Sequence, residues 1–176
     1  MREINLNIEG PFSLFENSDF DYFFNSPFIK DEGIYLWTVP YKDSELVYYV
    51  GETGRNFEIR MIEHIQNYLS GEYGINEPEQ LKKGKRVRIW EGTWRGEKVE
   101  NFLGKYEEFI PKIFELLKLY RFYLIPMNFE INLRKRIEGE LCKHLFDQGS
   151  IIGNFQEPDY RYQLRKINNG PLKINL

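Results

Sequence analysis

Between residues 33 and 69 the hydrophobic pattern changes from short runs to a helical stripe. Ile34 to Val39 and Leu46 to Val50 are apolar runs rich in β-branched and aromatic residues, separated by the polar stretch Pro40 to Glu45. Such a pair predicts an antiparallel hairpin. Gly51 and Gly54 interrupt the second run, and from about Phe57 the period lengthens: Phe57, Met61, Ile65 and Leu69 recur every four residues. That spacing predicts a helix with these four residues as its buried stripe. Arg60, His64 and Asn67 fall on a neighbouring, non-core face.

Elsewhere the pattern is patchier. Residues 1–32 are acidic and aromatic and hold no period for long, which predicts rings packed onto the rest of the chain, with a dimer contact as the alternative role. Val87 to Trp94 reads as a strand behind a basic cluster of Lys82, Lys83, Lys85, Arg86 and Arg88, with the tryptophans as core. Val99, Phe102, Leu103, Tyr106, Phe109, Ile110, Ile113, Leu116, Leu117 and Tyr120 follow helical spacing over some twenty residues, with Pro111 expected to kink or divide the helix. Arg121 to Pro126 predicts another strand. Asn128 is placed to cap a second long helix whose stripe is Leu133, Ile137, Leu141 and Leu145. Residues 150–176 look irregular, with turns at Gly153-Asn154 and Glu157-Pro158-Asp159. The expected fold is α+β: one domain with a small, mainly antiparallel sheet, made from the hairpin and the 121–126 strand, flanked by helices.

Composition narrows this picture modestly. At 176 residues, 29% charged and 41% hydrophobic, the chain can bury a sizeable core. A single cysteine, Cys142, excludes a disulfide framework or a thiolate metal cluster. The opening MREINLNIEG lacks the basic start and apolar run of a signal peptide, and no stretch approaches a membrane span, so a cytoplasmic location and no membrane partner are expected. The net charge of −3 is unevenly spread. Residues 1–50 carry nine acidic and three basic residues, whereas residues 51–176 carry 18 acidic and 21 basic. The later segment is therefore mildly basic, which permits contact with phosphates.

Phosphodiester hydrolysis needs an activated nucleophile, charge relief on the phosphate and help for the leaving oxygen. One glutamate, one arginine and an oriented tyrosine suffice in principle, because Mg²⁺ keeps several waters and takes oxygens from its substrate. A phenol is about three pH units too weak an acid to serve unaided as a base at neutral pH. The chain places Tyr35 and Tyr49 on the predicted hairpin and Arg60 and His64 one turn apart on the helix behind it. Glu138 and Glu140 both lie on the later helix, on opposite flanks of its apolar stripe, and periodicity does not choose between them.

Gly33-Ile34-Tyr35 followed by Tyr49-Val50-Gly51, with Arg60 and His64 downstream in the run Phe57 to His64, resembles the GIY-YIG endonucleases. The resemblance covers about residues 33–70 and 121–155 and leaves 72–120 as an insertion for target recognition or dimerisation. It implies a Mg²⁺- or Mn²⁺-dependent DNA endonuclease with a single ion, of restriction type or a stand-alone nicking enzyme, leaving 5′-phosphate and 3′-hydroxyl ends. By the same resemblance one of Tyr35 and Tyr49 is the base while the other positions water or phosphate, and Arg60 binds the scissile phosphate. His64 assists proton transfer or holds phosphate. The family's aliphatic residue three positions after the metal-binding glutamate selects Glu138, with Leu141, over Glu140. Asn154 falls where the family carries an asparagine that shapes the site. Lys82, Lys83, Lys85 and Arg86 are the candidate DNA-backbone contacts, against a reading as a solvated loop and strand edge. A homodimer is left open. Together the resemblance predicts that Tyr35, Tyr49, Arg60 and Glu138 face one concave surface, with Glu138 otherwise engaged only in an exposed pair with Arg134.

Three features depart from the family pattern. The signatures lie farther apart than in compact members, Glu52 stands where some members place lysine, and the stretch 72–120 is long. Two rival readings carry different chemistry: a non-catalytic module of the same fold that binds nucleic acid or protein, and a small-molecule enzyme built on the Tyr–Arg–His cluster.

Overall fold

The computed structural model describes residues 2–148, 155 and 172–175. The predicted hairpin forms one end of the main sheet: β4 (Gly33–Tyr41) and β5 (Ser44–Thr53) pair antiparallel around a two-residue turn in which Lys42 takes a positive φ. The N-terminal segment supplies β1 (Arg2–Asn5), β2 (Glu9–Ser13) and β3 (Asp21–Tyr22), and its rings pack onto the rest of the chain: Phe12 and Phe23 lie in the core, with Phe15, Phe24 and Phe28 against it. Downstream come α1 (Phe57–Leu69), β6 (Ile75–Asn76), α2 (Pro78–Leu81), β7 (Arg88–Trp90), α3 (Val99–Gly104), α4 (Tyr106–Leu119), β8 (Arg121–Pro126), α5 (Ile131–Asp147) and β9 (Leu172–Asn175). The main sheet runs β3-β2-β8-β4-β5 and is antiparallel except for β2 with β3. Two ribbons, β1–β9 and β6–β7, complete an α+β architecture. Among the described residues no helix is long and apolar enough to cross a membrane.

Side chains alternate across the sheet, and each face buries its own core. Tyr35, Trp37 and Val39 of β4 and Phe122 and Leu124 of β8 pack with Phe57 and Met61 of α1 and with Ile113 and Leu116 of α4. Ile34 and Leu36, with Val50 and Ile125, face Ile137, Leu141 and Cys142 of α5. The alternation slips once. Trp37 pairs with Tyr49 and Thr38 with Val47, so Tyr48 is a bulge residue, and Tyr48 and Tyr49 both pack on the α1 face.

Several expected boundaries move. The 99–120 helix divides at Gly104–Lys105, and Pro111 is carried inside α4, leaving Val99, Leu103 and Tyr106 exposed. The strand predicted for 87–94 stops at Trp90, and Trp94 stands 79% exposed on a 3-10 turn instead of entering the core. Helix α5 starts after Glu130, not at an Asn128 cap. In α1 the buried stripe is Phe57, Met61, His64 and Tyr68, with Ile65 and Leu69 only partly covered, so the histidine expected on a non-core face lies inside.

Candidate functional site

Helix α1 starts where Asn56 caps it, its side chain accepting from the Ile59 N–H at 2.9 Å, with Glu58 in the first turn. That start fixes the phase at which Arg60 and His64, one turn apart, look down onto β4. Both reach the same atom. Arg60 Nε donates to Tyr35 Oη at 3.1 Å, and His64 Nε2 lies 2.8 Å from that oxygen. Arg60 is steadied by Glu63 at 3.1 Å, and Glu63 also receives a pair of donors from Arg55. Behind the imidazole, Tyr73 Oη lies 3.0 Å from Nδ1 and the Trp37 ring packs edge-on at 4.9 Å between centroids. Tyr49 lies beside Tyr35 on the same face, with ring centroids 6.0 Å apart.

Both signature glycines are required by close approach. Gly51 pairs with Tyr35 across the hairpin, and a Cβ there would overlap the Tyr35 ring and hydroxyl and come within 2.7 Å of the Tyr49 ring. Gly33, at φ 153°, would drive a Cβ into the Ile125 carbonyl of β8. The missing side chain at position 51 is thus what lets the two phenols share one surface.

Burial sets the protonation states. The Tyr35 phenol is pushed well above its usual range, chiefly by loss of water and then by the neighbouring Tyr49. Tyr49 rises to about 12, through burial and then the charge of Glu138. His64 falls well below the ordinary imidazole range because burial disfavours its cation and Arg60 repels it. At neutral pH both phenols therefore keep their protons and His64 is an uncharged imidazole.

Glu138 arrives from the other direction. Its helix, α5, packs on the opposite face of the sheet from α1. The carboxylate nevertheless reaches the margin of the edge strand β5. There the backbone of Glu52 donates to it, the Glu52 carboxylate repels it, and its charge is felt by Tyr49 and Arg60. Only 4% of its surface is exposed, its Oε2 has no hydrogen-bond partner, and burial followed by the charge of Glu52 raises it to about 7. The exposed Arg134–Glu138 pair is corrected. Arg134 is 5% exposed and is turned toward Glu52 (3.3 Å), Glu32 (3.1 Å) and the Phe129 carbonyl.

A cation could meet Glu138 on favourable terms. A buried carboxylate oxygen with no hydrogen bond is a hard donor suited to Mg²⁺ or Mn²⁺. Arg134 occupies the neighbouring Glu52, leaving Glu138 as the carboxylate for such an ion. Among the described residues no three His, Cys, Asp or Glu side chains group as a ligand set, so an ion held here would draw the rest of its shell from water and substrate oxygens.

The basic cluster divides. Lys82, Lys83 and Lys85 are exposed just beyond α2, with Lys82 paired to Glu79 at 2.5 Å. Arg86 turns inward. It stacks 4.1 Å over the Tyr48 ring, donates to the Tyr48 carbonyl at 2.7 Å and bonds the Phe155 carbonyl, fastening the 75–90 segment to the sheet edge. Asn154 lies outside the described residues. Sequence reasoning did not single out Tyr73, or the ionic partnership of Glu52 with Arg134. The one sequence cue to Tyr73 is Gly71, whose φ of 74° ends α1 and turns the chain back along it.

No protein-family model, curated protein or solved structure matches the chain.

Proposed function

We propose that the chain is a Mg²⁺-dependent DNA endonuclease of GIY-YIG type that hydrolyses phosphodiester bonds by attack of water. The observation that carries this reading is the Tyr35 hydroxyl held between Arg60 and His64 behind a glycine. A tyrosine raised above its usual range is a poor free base, but it can relay a proton if its own proton has somewhere to go. Neutral His64, 2.8 Å away, is that place.

Arg60 spends Nε on Tyr35 and one Nη1 donor on Glu63, which leaves three N–H groups to meet a phosphate. A phosphodiester there would offset the charge by which Arg60 depresses His64 and so make the imidazole a better acceptor. Water gives a proton to Tyr35 Oη as the phenolic proton passes to His64 Nε2. The new P–O bond forms, the P–O3′ bond breaks, and the departing alkoxide takes a proton from solvent while His64 later returns its own. Tyr49, kept protonated, donates to the attacking water or a phosphate oxygen. Glu138 would hold the ion. Bound there, the ion supplies positive charge to the phosphate and the leaving oxygen. The exposed lysines Lys82, Lys83 and Lys85 are the backbone contacts this reading favours, with Arg86 committed to the fold.

Supercoiled plasmid incubated with the purified protein should be nicked or linearised with Mg²⁺ and untouched with chelator. Intact plasmid from a folded protein at every metal tested would overturn the reading in favour of a non-catalytic module.

A further inference from the structure

Both nitrogens of the buried His64 ring face phenols, Tyr35 at Nε2 and Tyr73 at Nδ1. A neutral imidazole has one N–H and one bare nitrogen, so one of two arrangements must hold. Arg60 Nε–H can only donate, and it occupies one lone pair of Tyr35 Oη. If His64 carried its proton on Nε2, that N–H would take the second lone pair, and Tyr35 could accept nothing from water. If the proton is on Nδ1, Nε2 accepts the Tyr35 proton, and the second lone pair of Tyr35 is left for a water or for the hydroxyl of Tyr49, its other hydrogen-bond partner. The second arrangement needs an acceptor at Nδ1, and a buried N–H without one is costly.

Tyr73 provides it from outside the helix. Gly71 turns the chain back, the Tyr73 N–H bonds the Asn67 carbonyl at 3.1 Å, and the ring lies edge-on to Tyr68 at 5.4 Å. Its position is therefore fixed by the end of α1, not by the groups it serves. We propose that Tyr73 is a positioning residue: its hydroxyl holds the His64 proton on Nδ1, keeping Nε2 bare toward Tyr35. This rests on the nuclease reading for its catalytic meaning. The same hydroxyl still accepts from Nδ1–H after His64 takes up the relayed proton, so no new partner is needed as the ring becomes charged.

The chain has two histidines, so a His144→Gln background leaves His64 as the sole imidazole for two-bond ¹H–¹⁵N correlation spectra. The expected spectrum shows a protonated Nδ1 and an unprotonated Nε2. Tyr73→Phe, which keeps the ring packing and removes one hydroxyl, should move the proton to Nε2. It should also lower kcat for plasmid cleavage by about ten- to a hundred-fold, the usual loss when a partner orienting a functional histidine is removed, with KM little changed. An Nε2-protonated wild-type ring, a spectrum unmoved by Tyr73→Phe, or a moved spectrum with unchanged kcat would each overturn the proposal. If the parent protein cleaves nothing, the nuclease reading fails while the spectra still decide whether Tyr73 holds the ring.

Discussion

The two faces of the sheet take polar groups inside in opposite ways. Under α1, Tyr35 and the neutral His64 close on one another and on Tyr73 through hydrogen bonds of 2.8 and 3.0 Å, with the Arg60 cation at their edge. Against α5 the buried groups are ionic. Arg134 lies between Glu52 and Glu32, and Glu138 keeps one oxygen without a partner. The Tyr35–His64–Tyr73 network is complete in its hydroxyl and imidazole groups, while the Trp37 Nε1 beside it has no partner among the described residues. The ionic network is not complete, because an unpaired buried carboxylate is stable only if it gains a proton or a cation. Under the proposed function the α1 face moves the proton and binds the phosphate through Arg60, while α5 brings the carboxylate for the ion.

The sharpest way to break the comparison is to disable each face separately. Tyr35→Phe and Glu138→Gln should each lower plasmid cleavage by roughly 10²- to 10⁴-fold in single-turnover assays. DNA binding should persist in both and tighten slightly in the second. If either variant cleaves normally, the face it belongs to plays no part in the chemistry.

Arg134→Met should be the costliest change to the fold, about 3–5 kcal/mol by urea denaturation, because it strands Glu52 beside Glu138. Adding Glu52→Gln should recover part of that loss. A double variant no more stable than the single would show that Arg134 acts by packing alone, and the ionic description of this face would fail.

The two faces should also respond to pH with opposite sign. Glu138 is raised from 4.5 to about 7, so the fold favours its protonated form. Its contribution is full below 4.5 and is lost as pH rises through 7. Glutamine mimics the protonated acid, so without added metal Glu138→Gln should be more stable than the parent at pH 8 by about 3 kcal/mol. The advantage should fade toward pH 4.5, and Mg²⁺ should narrow it at pH 8 by stabilising the parent alone. His64 is depressed below 6.5, so its neutral form is the one the fold keeps. The parent should lose stability from this group as pH falls below 6.5 toward the folded value. Equal melting temperatures for Glu138→Gln and the parent at pH 8 would remove the charge argument for that residue.

The smallest expected effect lies off both faces. Replacing Lys82, Lys83 and Lys85 by Gln should alter stability by no more than about 0.5 kcal/mol. The salt dependence of DNA binding should fall by nearly one unit of slope for each phosphate that a lysine no longer neutralises. An unchanged slope would return these lysines to a solvated surface.

The sequence carried the hairpin and the α1 helix, because runs of β-branched residues and glycine breaks are local signals. It misjudged which helix faces are buried, and for one physical reason. A strict four-residue row such as 57, 61, 65, 69 advances about 40° around the helix at each step, so it winds away from a fixed contact. The observed row of Phe57, Met61, His64 and Tyr68 mixes steps of four and three and stays in register with β4. The same drift hid the burial of Arg134 and Glu138 beside Ile137 and Leu141, which is why periodicity did not separate Glu138 from Glu140. Tyr73 and the Arg134–Glu52 pairing depend on neighbours distant along the chain, which spacing does not encode. The break at Gly104 reflects a weak helix former at the junction, whereas Pro111 sits on the exposed side of α4, where one missing hydrogen bond is tolerated.

The bulge at Tyr48 separates two jobs within one strand. Without that residue, Leu46, Val47, Tyr49, Val50 and Gly51 would still alternate regularly, with Tyr49 opposite Trp37 and Gly51 opposite Tyr35. The supernumerary residue therefore contributes nothing to the phase of the site. It contributes the ring that Arg86 stacks on and the hydroxyl that receives the Asn76 side-chain donor at 2.9 Å. Tyr48 thus ties the 75–90 segment to the sheet edge without entering the phase of the site, while Ile75, Leu81 and Trp90 bury the same segment in the core.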